Sequence, residues 1–286
     1  MERRQPALHL LGGDAEVRTR RLLLAAAAAL ALTACGGSPS SAPPSPGASE
    51  SATVPSPPPR PATGACHELT YDQAVAATAP STTTSCHASH ASETYAVGNL
   101  DVVVDGHLLA VTSARAQKQA ATVCPARLHA FVGGSRDDLR LSMLRAVWFT
   151  PTSDEATAGA SWYRCDVIVV AGDSQLADVT ASLKGALDGA RAADLAMCGT
   201  AAPGTSAFHR VLCREPHSWK AVDTVDISGS AYPGASTVKS AGTAHCKSVA
   251  QQSAANRLKF KWGYEWPTAA QWAVGQHYGI CWAPGA

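Results

Sequence analysis

Eight cysteines in two sets of four constrain this chain more than any other feature. They are Cys66, Cys86, Cys124 and Cys165, then Cys198, Cys213, Cys246 and Cys281. The gaps are 20, 38 and 41 residues in the first set and 15, 33 and 35 in the second, so each runs short, long, long. Their surroundings keep the same offsets. His90 stands four residues after Cys86, and His217 four after Cys213. A valine-bearing stretch follows each histidine, "TYAV" at 94–97 and "WKAV" at 219–222. Pro151-Thr152 lies fourteen residues before Cys165, and Pro267-Thr268 fourteen before Cys281. Gly159 and Gly275 coincide between them, as do Trp162 and Tyr278 three residues before each closing cysteine. Independent coincidences at fixed offset predict an internal repeat.

The ninth cysteine, Cys35, has a different setting. Arg18, Arg20 and Arg21 precede an apolar run, Leu22 to Leu32, of eleven residues. A membrane span needs ~20 residues, so the run fits the core of an export signal instead. It closes in "LTAC", which resembles the lipobox of bacterial lipoproteins. That resemblance implies cleavage before Cys35 and a diacylglycerol on its thiol. Asp14 and Glu16 are out of place in a signal's basic start, whereas "VRTRRLLL" from Val17 is compact and basic; translation is expected to begin at Val17. Arg20-Arg21 permits a twin-arginine route, but disulfides that form only after export favour the general secretory route. Residues 36–62, "GGSPSSAPPSPGASESATVPSPPPRPA", lack large apolar side chains and are read as a disordered tether. At ~3.1 Å per residue it is expected to reach at most about 80 Å. The expected location is the cell membrane, lipid-anchored, on the extracytoplasmic face.

A formal net charge of +1 with 16% charged residues leaves no basic field for a phosphate backbone, so nucleic acid is not an expected partner. The 46% hydrophobic content is enough for a sizeable core.

The paired motifs resemble the septum-formation domain family of actinobacterial membrane and secreted proteins. Members show a cysteine-proline-histidine-type motif followed by an acid and a hydrophobic strand, and end in proline, tryptophan, glycine and a closing cysteine. Here the first copy reads "CHASHASETYAV", Cys86 to Val97, with Glu93 at the acid position. The second reads "CREPHSWKAV", with Trp219 two after His217, and then "WPTAAQWAVGQHYGICW", Trp266 to Trp282. The first copy has Ser89 in place of the proline and Thr150 where the second has Trp266; the second has Lys220 in place of the acid. The resemblance covers roughly 63–286. It implies a link to envelope or septum formation and no defined activity.

Each unit is expected to be α+β, a mainly antiparallel sheet packed with one longer and one short helix. In the first, 94–104 reads as one or two strands, and 112–131 as a helix capped by Ser113 with a break at Pro125. "LRLSMLRAVWF" (139–149) and "SWYRCDVIVV" (161–170) read as strands, with a short helix in "TPTSDEATAG" between them. The second repeats this order: the strand "AVDTVDI", one helix around "TVKSAGTAHCKSVAQQ", then the strands "LKFKWGYEW" and "GQHYGICW". The predicted organisation is signal 1–34, lipidated Cys35 and tether to 62, first unit 63–172, connector 173–194, second unit 195–286. An even cysteine count in an exported chain reads as disulfides. Bonds within matching units allow three patterns. The preferred one is Cys66–Cys86, Cys124–Cys165, Cys198–Cys213 and Cys246–Cys281, because it joins neighbouring segments and pins the helix to the final strand.

Three chemical readings compete at the motif. Cys86, His87 and His90, with His67 beside Cys66, offer zinc ligand types. The second unit keeps only Cys213 and His217, and disulfides are the better use of these cysteines, so no metal or cofactor is expected. A hydrolase would need a marked nucleophile, and no serine motif is present while the even count leaves no free thiol; no catalytic residue is assigned. The remaining reading makes His90 and His217 architectural, each ring bonded to the turn after its cysteine. The tryptophans Trp262, Trp266, Trp272 and Trp282 are expected in a core beside Cys246–Cys281, with Trp272 the one most open to a glycan or protein partner. The favoured role is a non-enzymatic envelope interaction module. The runner-up is a lipoprotein binding a small molecule or wall fragment between the units, ahead of a hydrolase.

Overall fold

Among the described residues the elements follow in chain order: β1 (Cys66–His67), α1 (Tyr71–Ala74), β2 (Ser92–Asn99), β3 (Val103–Val104), β4 (His107–Leu108), α2 (Ala114–Val132), α3 (Arg136–Arg140), β5 (Leu144–Phe149), α4 (Ser153–Thr157), β6 (Trp162–Gly172), β7 (Gln175–Leu176), α5 (Ala192–Leu195), β8 (Met197–Gly199), β9 (Arg210–Leu212), β10 (Trp219–Asp226), α6 (Ala235–Ala241), α7 (Thr243–Ser253), β11 (Gly263–Glu265), α8 (Ala269–Ala273) and β12 (Tyr278–Pro284). The structure is a computed structural model and describes residues 56 and 58–285. The expected signal peptide, Cys35 and most of the tether lie outside the described residues. No helix among the described residues is long and apolar enough to cross a membrane.

The architecture is α+β with antiparallel sheets. The first sheet runs β1-β2-β6-β5, with β7 on the far end of β6; the second runs β11-β12-β10-β8-β9. Each has a long central pair, β2 with β6 and β10 with β12, and each pair slips register once. The slip falls at Tyr95, between Thr94 and Ala96, and at Val222, between Ala221 and Asp223. Both sites stand five residues after the motif histidine. The four disulfides are Cys66–Cys86, Cys124–Cys165, Cys198–Cys213 and Cys246–Cys281, the pattern preferred from the spacing.

The local chemistry explains the helices. Ser113 caps α2 by accepting from Ala116 N, and every fourth residue, Ala116, Ala120, Cys124, Leu128 and Val132, is buried. Pro125 does not break this helix, contrary to expectation. Its missing N–H removes one backbone bond. Against that loss, Cys124 is tied to β6 through Cys165, and Tyr95 Oη donates to Cys124 O at 2.6 Å. The expected strand over 139–149 begins only at Leu144, because Ser135 and Asp138 form a capping box that starts α3 just before it. In the second half one helix was expected, and Gly242 divides it into α6 and α7. The strand in "LKFKWGYEW" shrinks to Gly263–Glu265. α4 and α8 both open on a threonine capping box, Thr152 with Glu155 and Thr268 with Gln271. Both end at a glycine of positive φ, Gly159 at 98° and Gly275 at 96°.

One hydrophobic core joins Tyr95, Leu128, Leu144 and Val167 to Met197, Leu212, Trp219 and Trp282. Backbone bonds cross with it: Met143 N donates to Leu195 O and Met197 N to Leu141 O, each at 2.8 Å. Residues of the predicted connector sit inside this core, Leu183 with no exposed surface.

Candidate functional site

The turn after each second cysteine places its histidine in the same way. His90 Nδ1–H donates to Ala88 O at 2.9 Å, and His217 Nδ1–H to Glu215 O at 2.8 Å. Both acceptors lie two residues back, so the ring closes its own turn. The environments differ. His90 is buried at 1% exposure and its Nε2 has no hydrogen-bond partner, whereas His217 is half-buried beside Gly285.

Glu93, the motif acid, is bonded elsewhere than to His90. Its carboxylate accepts from Ser182 Oγ at 2.8 Å and Leu183 N at 2.6 Å, tying the segment after β7 to β2. At the corresponding place Lys220 is exposed, so the second sheet has no such tie.

β6 contributes a buried ion pair that sequence reasoning missed. Arg164 Nη2 lies 3.0 Å from Asp166 Oδ2, at 2% and 0% exposure. Ser92 and Thr94 hydroxyls donate to Asp166, at 3.2 and 2.8 Å. The Arg164 guanidinium lies over the Phe149 ring at 4.6 Å. His67 completes the cluster, donating from Nδ1 to Thr82 O at 2.8 Å with Nε2 3.1 Å from Thr94 Oγ1. Burial first, and the Arg164 cation second, hold its pKa below the ordinary 6.5. The available signal was "WYRCDVIVV": opposite charges two apart on a strand share one face. Around Cys281 the same offsets hold Ile280 and Trp282, both buried.

Of the zinc ligand types, His87 is exposed and only its backbone N is bonded, to Ser85 Oγ, while the others are held at least in part. Cys86 is bonded to Cys66, His67 is held by Thr82 and Thr94, and His90 by Ala88. Glu93 lies near the Cys66–Cys86 sulfurs, but its oxygens serve residues 182–183.

Trp272 requires a correction. It lies on α8, where it is buried at 4% exposure, stacked on His277 at 4.2 Å and packed with Ile227 and Val238. α8 turns its apolar side onto the sheet's far end, and so Trp272 is not a free platform. Trp266 is the exposed tryptophan, at 38%, with Lys239 Nζ 5.4 Å from its ring centre. Trp219 is buried in the main core. An open depression of about 470 Å³ adjoins the Cys213 turn, lined by Ala171, Gln175, Val211, Arg214, Glu215 and Pro216.

These features define a disulfide-stapled α+β protein whose motif histidines and acid bond to its own backbone. The chain belongs to the septum formation family, whose model matches residues 63–281. No curated protein and no solved structure matches it.

Proposed function

We propose that this protein is a lipid-anchored, extracytoplasmic interaction module of the cell envelope serving septum formation, and that it acts without catalysing a reaction. Its body consists of two tandem, structurally similar units that diverged after duplication. Family membership supplies the link to septum formation. The observation that carries the non-enzymatic reading is the use of the motif side chains: His90, His217 and Glu93 bond to their own turn or to residues 182–183. The duplication is supported by the shared strand order, β1-β2-β6-β5 against β8-β10-β12-β11, and by the register slips after each histidine. Cys35 carries the lipid, and the segment from 36 to 62 links it to the body.

The test is depletion of the protein followed by replacement. Loss should misplace or delay septa, and wild type should restore them. The Cys35→Ala chain should leave the membrane and fail to restore them. Normal division after depletion overturns the role, and membrane retention of mature Cys35→Ala overturns the anchor. The depression beside Arg214 and Glu215 favours a second reading, a small-ligand binding lipoprotein.

A further inference from the structure

Charge is distributed unevenly along the second half. Between Asp226 and Glu265 the chain carries Lys239, Lys247, Arg257, Lys259 and Lys261, and no Asp or Glu. All five are exposed, and none forms an ion pair among the described residues. Of 23 basic residues in the chain, 18 remain elsewhere against 22 acidic ones, so this segment is basic on an otherwise acidic protein.

The centre of the segment is a built turn with an apolar tip. Asn256 Oδ1 accepts from Leu258 N at 2.9 Å and from Lys259 N at 3.1 Å, and Gln251 Nε2 donates to Arg257 O at 2.9 Å. These bonds fix the turn to the end of α7. They also present Leu258 at 96% exposure between Arg257 and Lys259. Phe260 and Trp262 follow, half-buried, and Trp262 packs against Cys246 and Tyr264. A leucine held fully in water by a hydrogen-bonded turn gains nothing in the isolated protein.

We infer that the turn Arg257–Trp262, with Lys247, docks on an anionic lipid bilayer, Leu258 entering the interface while the cations meet headgroup phosphates. A bilayer surface offers negative charge above an apolar layer, and both parts of the turn find a partner there. A soluble polyanion matches the cations and leaves Leu258 in water.

A second copy of the chain is a poorer match. The corresponding connection in the first half, α3, lies against the second sheet: Arg140 pairs with Asp226 at 2.8 Å and covers the Tyr278 ring, and Thr224 donates to Asp137 at 2.6 Å. Docked in that manner, the turn after α7 would meet the first sheet near Asn99. There Arg115 and Lys118 line the surface and repel it.

The test uses residues 56–286, a compact body that holds all four disulfides and the whole described core. It lacks Cys35, so its failure leaves the anchor proposal standing, and loss of the anchor leaves this one standing. The probe is vesicles of phosphatidylcholine, alone or with roughly one third phosphatidylglycerol. Wild type should sediment with the anionic vesicles only, and should be released as salt rises from about 0.05 M to about 0.5 M. Lys259→Gln with Lys261→Gln should weaken binding roughly tenfold or more. Leu258→Ser should weaken it roughly fivefold with an unchanged melting temperature, since the side chain packs on little. Absence of binding overturns the inference, as does an indifferent Leu258→Ser. Equally tight capture by polyphosphate, blind to Leu258→Ser, would assign the patch to an anionic polymer instead.

Discussion

At the scale of single residues, the first half retains charges where the second has hydrocarbon. Arg164 and Asp166 are almost fully buried, and Ile280 and Trp282 hold their offsets around Cys281. Removing one charge leaves the other desolvated and unpaired, which costs about 3–5 kcal/mol, whereas replacing both by apolar groups is often neutral. Arg164→Met should therefore lower the denaturant midpoint much more than the double variant Arg164→Met with Asp166→Leu. Equal loss in both would show that the pair stabilises the fold beyond its own desolvation. The motif histidines follow the same logic of burial. His90 is enclosed and His217 half-open, although each closes its turn with one bond. Losing a buried hydrogen bond costs about 1–3 kcal/mol, and each kcal/mol shifts the melting temperature of a body this size by about 2–4 °C. His90→Ala is expected to lower it by several degrees and His217→Ala by less, with Asn recovering part of the loss at either site. An alanine variant melting above wild type, as removal of a functional side chain often produces, would reopen the search for chemistry at that turn.

Among the elements, legibility tracked how local the cause was. The short helix α4, the α2 cap at Ser113 and the long strand β6 follow from neighbours in sequence, and sequence reasoning placed them; the capping boxes at Thr152 and Thr268 are just as local but were not read. The misses have distant causes. α2 runs through Pro125 because Cys165 and Tyr95 hold Cys124 from two strands. Trp272 is buried because Ile227, Val238 and His277 meet over α8. The helix around Cys246 divides at Gly242 because a ring from β11 presses on that point. A Cβ there would lie 2.3 Å from the Tyr264 ring, whose hydroxyl donates to Val238 O in the middle of α6. The buried ring cannot retreat without losing that bond, so Gly242→Ala should cost about 1–3 kcal/mol. Restoration by the added change Tyr264→Leu would identify the ring as the cause. An unperturbed Gly242→Ala would show instead that the division of the helix is set by α6 and α7 themselves.

For the whole molecule, cysteine spacing predicts a repeat of sequence but not how far its halves depend on each other. Bridges closing within each half suggest separable units, and each staple is expected to contribute roughly 3–4 kcal/mol on the chain-entropy model. The packing opposes separation. Met197, Leu212, Trp219 and Trp282 share one core with Tyr95, Leu144 and Leu183, and residues 182–183 are fastened to β2 by Glu93. Cutting between the halves would expose these side chains to water together and leave Met143 N and Met197 N without their partners. Cooperativity should therefore extend across the repeat. Calorimetry of residues 56–286 is expected to show one transition with equal calorimetric and van't Hoff enthalpies, and residues 195–286 alone should fail to give a cooperative melt even with Cys198–Cys213 and Cys246–Cys281 formed. Two resolved transitions, or a stably folded 195–286, would mean that each half carries its own stability and that the shared core is only an interface. A single transition would mean that the two halves form one domain, with the staples fixing each sheet and the common core holding the sheets together.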